Sequence, residues 1–190
     1  MKMSMEKSLE VLNAMIDDGI IETYVIAGAV AALLYIEPTV TEDLDILITF
    51  SSSSPGGLVT LGEIVPYLKA RGYDQWEKEG LLIEGWPVQF LPASDALDVE
   101  ALQQAEEIAE DFGSGRQITT RVLSAHHLVA IAIRTGRYKD HARVIAFLDA
   151  NAVNIELLRD VVKRHGLDGK WREFLAKTGH ADVLDLNSNP

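Results

Sequence analysis

The chain has no cysteine among its 190 residues, which excludes disulfides and thiolate metal sites. It has no apolar run approaching the roughly 20 residues needed to cross a bilayer. No apolar stretch follows the two lysines of residues 1–8, so nothing there resembles a secretory leader. A cytoplasmic protein without membrane association is the expectation. Bases are scarce in the first part of the chain: residues 1–111 hold 21 acids against 5 bases, a net of −16. With an overall net charge of −12, extended nucleic acid is disfavoured as a partner. Six bases (Arg116, Arg121, Arg134, Arg137, Lys139 and Arg143) stand against Asp140 alone in residues 112–143, a net of +5. That segment is either a set of solvated helix faces or a local site for one triphosphate. Hydrophobic content of 47% and charged content of 24% fit one globular domain, or one domain with a small helical appendage.

Periodicity orders the elements. Leu9, Leu12, Met15 and Ile16 recur at helical spacing and predict a helix over 6–18, closed at Gly19. Residues 23–27 (TYVIA) predict a buried strand, broken by Gly28. A helix (AVAALLYI) follows and ends before Pro38, and a second strand spans 43–50 (DLDILITF). Residues 51–57 (SSSSPGG) predict a loop, either a lid over a ligand or a solvated connection. A helix over 61–70 and three short strands over 73–77, 81–84 and 87–91 come next. Residues 94–111 predict a helix, or a helix running into an edge strand, and 117–123 a strand. Ser124 is placed to cap a helix through Arg134, and helices are predicted over 139–149, 155–164 and 169–177. The fold class is therefore α+β: a domain over 1–122, a helical segment over 123–180 and a flexible tail over 181–190.

Asp43 and Asp45 stand at i and i+2 of a strand start, so their side chains leave one face about 7 Å apart. Two such carboxylates cannot lie unpaired in an apolar interior; they face water, a cationic side chain or a metal. Two-metal phosphoryl-transfer sites use this kind of clamp, whereas an exposed strand end is the plain alternative. Gly28 and Ala29 open a helix directly after a strand, where free N–H groups favour an anion. Close helix–strand packing is the competing reason for that glycine.

The run AGAVAALLYIEPTVTEDLDILI resembles the signature of the nucleotidyltransferase superfamily, and SAHHLVAIAIRTGRYKDHARV resembles the segment that follows in the branch around abortive-infection AbiE-type toxins. The likeness spans most of residues 10–165. It implies a nucleotidyltransferase-like mixed sheet with flanking helices, followed by a C-terminal helical segment. It also implies Mg²⁺ (or Mn²⁺) on Asp43 and Asp45 as metal ligands and catalytic residues, with nucleoside triphosphate phosphates at Gly28 and Ala29. Thr41 would support the acidic strand, and Arg137 and Lys139 would lie at the nucleotide. Lys139 would contact phosphate or the protein's own carboxylates. The implied activity is transfer of a nucleoside monophosphate from a triphosphate to an acceptor that the sequence does not identify.

Three positions depart from that pattern. Ala29 stands where a serine or glycine is usual. Gln89 occupies the strand position expected to carry a third carboxylate, and an amide is a poor general base. Ala132 replaces a helix lysine, with Arg134 two residues on directed to another face. These motivate an alternative, a degenerate member that binds a nucleotide or a partner protein without turnover. The AbiE-like segment motivates a further one, half of a toxin–antitoxin or defence pair with an antitoxin partner; a homo-oligomer is also left open. Glu37 and Glu42 flank the pair as substitutes for the third acid. Adjacent His126 and His127 face different directions and cannot chelate one metal together; one is expected half-buried and the other solvated. Trp76 and Trp86 suit core or edge packing better than base stacking.

Overall fold

The computed structural model describes residues 4–37, 41–49, 62–111 and 115–186. The element order is α1(Met5–Asp17), β1(Thr23–Ile26), α2(Gly28–Ala32), β2(Leu44–Thr49), α3(Ile64–Ala70), β3(Trp76–Glu77), β4(Gly80–Ile83), β5(Trp86–Pro92), α4(Ala96–Gln103), β6(Glu106–Glu110), β7(Ile118–Val122), α5(Ala125–Thr135), α6(Tyr138–Asp149), α7(Ile155–Arg164) and α8(Asp168–Thr178). Leu9, Leu12 and Met15 of α1 are fully buried, as their spacing requires. The loop predicted over 51–57 lies outside the described residues.

One seven-stranded sheet has the order β3-β4-β5-β2-β1-β7-β6. It is mixed. β1 runs antiparallel to β2 and parallel to β7, while β2 runs parallel to β5. Central strands are apolar on both sides: Ile46, Leu47 and Ile48 of β2 are buried, as are Tyr24, Val25 and Ile26 of β1. The β6 edge is largely exposed and carries Glu106, Glu107 and Glu110, charges that discourage pairing with another strand.

The helix after β1 is shorter than its alanine-rich sequence predicts. Only Gly28–Ala32 is α-helical, and 33–36 continue as tighter turns, with Leu34 and Tyr35 N–H groups donating three residues back. Residues 94–111 take the second of the two forms predicted, helix α4 and then edge strand β6. Ser124 does begin α5, but its hydroxyl makes no cap bond. The Oγ meets His127 Nδ1 at 2.8 Å and His126 Nε2 at 3.2 Å instead. One of the two was expected to be solvated, but His127 is fully buried, His126 is partly buried, and both rings turn to the same hydroxyl.

Helices α5 to α8 pack around Phe147, Trp171 and Phe174, all fully buried. Residues 181–186 belong to this packing. Leu184 is fully buried, its carbonyl accepts from Arg159 Nε at 2.6 Å, and Trp171 Nε1 donates to Asp182 at 2.8 Å. The flexible tail expected over 181–190 thus does not begin at 181, and 187–190 lie outside the described residues. No described helix is long and apolar enough to cross a membrane.

Candidate active site

β2 sits between β1 and β5, and its N-terminal end carries the two carboxylates. Asp45 lies in β2, and Asp43 immediately precedes it. Thr41 Oγ1 donates to the Asp43 carbonyl at 3.1 Å and reaches its carboxylate Oδ1 at 3.3 Å, holding the segment that leads into the strand. Across the sheet, Asp45 is in register with Gln89 of β5. On the other side, the Ala27 N–H donates to the Asp45 carbonyl at 2.8 Å as β1 turns into α2.

Gly28 makes room for this arrangement. Its φ is +61°, and a Cβ added there would stand 1.9 Å from Asp45 Oδ2. The glycine is needed twice, for a left-handed backbone and for the carboxylate packed against its Cα. The sequence offered helix–strand packing as the plain reason for Gly28; the packing partner is the candidate catalytic carboxylate itself. The first turn of α2 leaves the N–H groups of Gly28 and Ala29 without intrahelical acceptors. Gly28 and Ala29 line separate cavities that both reach Asp45.

Three cavities meet at the carboxylate pair. One of about 310 Å³ lies between the sheet and helices α5 and α6, bounded by Gly28, Asp45, Gln89, Ala132, Arg137 and Arg143 among others. A second, of about 540 Å³, is lined by polar and charged residues that include Thr41, Asp43, Asp45, Lys78, Lys139 and Arg143, and by apolar Ala29, Ile36, Ala142 and Ala146, with Tyr138 also on its lining. The third, about 290 Å³, is bordered by Asp43, Lys78, Glu79, Gln89 and Lys139. Lys139 lines all three.

The electrostatics show two opposed tendencies at Asp45. Burial, then the Asp43 carboxylate, raises its pKa above the ordinary aspartate range, while Lys139, Arg143 and Arg137 oppose that rise. The net direction is upward, so the three cations do not fully compensate the buried charge and its neighbour. A further cation at the pair would be stabilised. Among the described residues no group of three or more His, Asp or Glu side chains is placed to hold a metal ion. Two carboxylates still fit Mg²⁺, which is commonly held by one or two carboxylates with substrate phosphate and water oxygens.

The basic segment 112–143 divides sharply. Arg116 pairs with Glu6 at 2.7 Å, and Arg121 bonds Thr23 Oγ1 at 3.0 Å and the Leu102 carbonyl at 2.9 Å. Arg134 clamps Asp95 at 2.5 Å and Asp98 at 2.7 Å, next to the start of α4. Arg137 closes the first turn of α6 through Asp140 at 2.7 Å. Lys139 makes no hydrogen bond or ion pair among the described residues, and Arg143 only a long 3.8 Å contact with Asp140. Most of the segment is therefore not a free anion site: its arginines are paired, with Arg116 and Arg137 still largely exposed to solvent. Lys139 and Arg143, four apart on one face of α6, are left beside the carboxylates. The sequence named Arg143 only as one of six bases and did not single it out, although its i+4 spacing from Lys139 carried the signal.

The substitutes considered for a third acid do not gather here equally. Glu42 is held by Lys78 in an exposed ion pair. Glu79, unremarked in the sequence, accepts a hydrogen bond from Gln89 Nε2 at 2.8 Å. The two histidines lie apart from the pair: His127 is fully buried, and its Nε2 is 3.2 Å from Glu100 Oε1. Trp76 is half-exposed at the β3 edge.

No protein-family model and no curated protein matches the chain. Solved structures do. The solution structure of the antibiotic-resistance factor ANT(2'')-Ia matches with a TM-score of 0.50 at 18% identity, over 92% of this chain and 96% of that one. The crystal structure of an antigenic nucleotidyltransferase-like protein from Paracoccidioides brasiliensis matches with a TM-score of 0.49 at 13% identity, over 93% and 91%. ANT(2'')-Ia in complex with adenylyl-2''-tobramycin matches with a TM-score of 0.43 at 19% identity, over 92% and 99%. At these identities the likeness concerns the fold alone. The chain has the α+β, nucleotidyltransferase-like architecture expected from its sequence, a mixed sheet with flanking helices and C-terminal helices. These three structures include no AbiE-type toxin.

Proposed function

We propose that the chain binds a nucleoside triphosphate with Mg²⁺ or Mn²⁺ and transfers the nucleoside monophosphate to a hydroxyl-bearing acceptor. The observation that carries this reading is that Asp43, Asp45, Lys139 and Arg143 line one shared cavity of about 540 Å³. Such a site accepts a bound cation and a polyanion together. Asp43 and Asp45 would hold the metal, whose charge would offset that of the phosphate oxygens. Lys139 and Arg143 bind and orient phosphate oxygens from the α6 side. Gly28 keeps Asp45 seated and, with Ala29, offers backbone N–H groups to phosphate. Thr41 fixes the approach to Asp43, and Arg137 supports Asp140 beneath Arg143 rather than meeting the ligand directly. The apolar lining of Ile36, Ala142 and Ala146 suits a nucleoside. Tyr138, 92% exposed on the same lining, offers a ring face to the base. Tyr138→Ala should weaken triphosphate binding by about 5- to 160-fold, the usual 1–3 kcal/mol of base stacking, measured by titration calorimetry.

The test is calorimetric titration of the protein with each nucleoside triphosphate in Mg²⁺ or Mn²⁺. Metal-dependent binding that Asp43→Ala abolishes supports the reading; its absence for all four triphosphates rejects it. A second reading, binding without turnover, is favoured by one specific observation, the neutral Gln89 beside Asp45. Triphosphate-dependent labelling of any acceptor, lost in Asp45→Ala, would exclude it. The proposal of a toxin–antitoxin role rests on the AbiE-like segment, and growth unaffected by expression of the chain would count against it.

A further inference from the structure

A hydroxyl acceptor needs a carboxylate that is free to take its proton, and the carboxylates around the site differ in what already holds them. In the function proposed above, Asp43 and Asp45 hold the cation. Asp140 is buried between Arg137 and Arg143, and Asp98 is held by Arg134. Glu42 is paired with Lys78. Glu79 is different: its hydrogen-bond partner is a neutral amide, Gln89 Nε2, at 2.8 Å. It has no ion pair among the described residues, so its remaining lone pairs are not taken up by a cation.

The hairpin turn that carries Glu79 is fixed over the site. Lys78 and Glu79 form the two-residue link between β3 and β4, with Lys78 at φ 54°. Gly80 lies so close to β5 that a Cβ there would stand 2.8 Å from the Pro87 carbonyl carbon. The Lys78–Glu42 ion pair ties the turn to the segment entering β2. Gln89, which holds Glu79, is itself in register with Asp45. The row Asp45, Gln89, Glu79 therefore runs outward from the pair. Glu79 borders the cavity of about 290 Å³ that Asp43 and Lys139 also line.

Resting on the function proposed above, we propose that this cavity takes the acceptor hydroxyl and that Glu79 is its general base, oriented by Gln89 as a positioning residue. The acceptor's O–H proton passes to the Glu79 carboxylate while its oxygen bonds to the α-phosphorus. The bond from that phosphorus to the bridging oxygen breaks, and pyrophosphate leaves with the electron pair. The carboxylate that β5 lacks at position 89 is thus supplied from the neighbouring hairpin, one side chain farther out.

The test uses the full chain with water as the acceptor, so that a nucleoside triphosphate and water give the monophosphate and pyrophosphate. Pyrophosphate release is followed with an equimolar mixture of ATP, GTP, CTP and UTP in Mg²⁺. Glu79→Gln should lower the turnover rate by about 100-fold or more, the usual cost of a lost base. Its calorimetric affinity for the triphosphates and its melting temperature should stay unchanged, which a merely structural hydrogen bond would not predict. The exchange Glu79→Gln with Gln89→Glu keeps the bond and returns a carboxylate to the row, so it should recover turnover. Full turnover by Glu79→Gln overturns the assignment, as does a wild type that binds triphosphate but releases no pyrophosphate. A wild type that binds no triphosphate is instead a failure of the proposed function, and the inference falls with it.

Discussion

A methyl group on Gly28 would overlap Asp45 Oδ2, and the backbone there has φ +61°. Gly28→Ala should therefore cost more than about 1 kcal/mol, the scale for alanine forced to positive φ, and should also displace the carboxylate. Chemical denaturation and triphosphate titration together check both effects. Asp45→Asn separates them. Because burial and Asp43 raise the Asp45 pKa, ionisation weakens the folded state as pH rises from the ordinary aspartate value to the raised one. The neutral amide removes that cost, so Asp45→Asn should melt no lower than the wild type at neutral pH, while losing metal-dependent triphosphate binding. At this scale the sequence was informative where chemistry repeats with a short period. That Asp43 and Asp45 border one cavity was legible from their i and i+2 spacing at the start of β2. Glu79 was not, since nothing local predicts that a hairpin turn will fold back onto Gln89 ten residues later.

The elements outside the site are joined by a polar hub at Glu100 of α4. Its carboxylate accepts from Arg164 Nη2 at 2.7 Å, meets His165 at 2.9 Å and meets buried His127 at 3.2 Å. The Arg164 hydrogen bond leads the effects that bring the Glu100 pKa from 4.5 down to about 2. Burial, first, and neighbouring His127 take His126 from 6.5 down to about 4, and burial lowers His127 as well. All three are depressed, so each contributes stability that is present above its unfolded pKa and is lost in acid. The histidine contribution fades as pH falls from about 6.5 toward 4, and that of Glu100 from about 4.5 toward 2. Melting temperatures across pH 7 to 3 should fall in these two overlapping stages. Glu100→Gln should lower the melt at pH 7 and flatten the lower stage. Element order was largely legible, because buried strands such as β1 and amphipathic helices such as α7 have clear periods. Ser124 stands at the N-cap as expected, but two histidine rings take its hydroxyl, a tertiary outcome that capping preference does not contain.

Across the whole molecule, the net charge of −12 conceals a division of labour. Arginines 116, 121 and 134 tie separate elements together and Arg137 closes the first turn of its own helix, leaving Lys139 and Arg143 for the carboxylate pair. The +5 segment in sequence is thus mostly paired within the protein in space. The C-terminal helices are fastened by Leu184, which is fully buried beyond the last helix. Leu184→Ala should destabilise by about 2–5 kcal/mol, as for other buried leucines, measured by denaturant unfolding. A frayed end had been expected there on the general rule for chain termini; Leu184 and the Trp171–Asp182 bond hold residues 182–184 instead. The most direct measurement of the central claim is a titration of the wild type, Asp43→Ala and Asp45→Asn with the four nucleoside triphosphates in Mg²⁺ and in EDTA. Binding by the wild type that requires the metal and disappears in both variants is the result predicted. Binding that survives EDTA or either substitution, or no binding by the wild type, would contradict it.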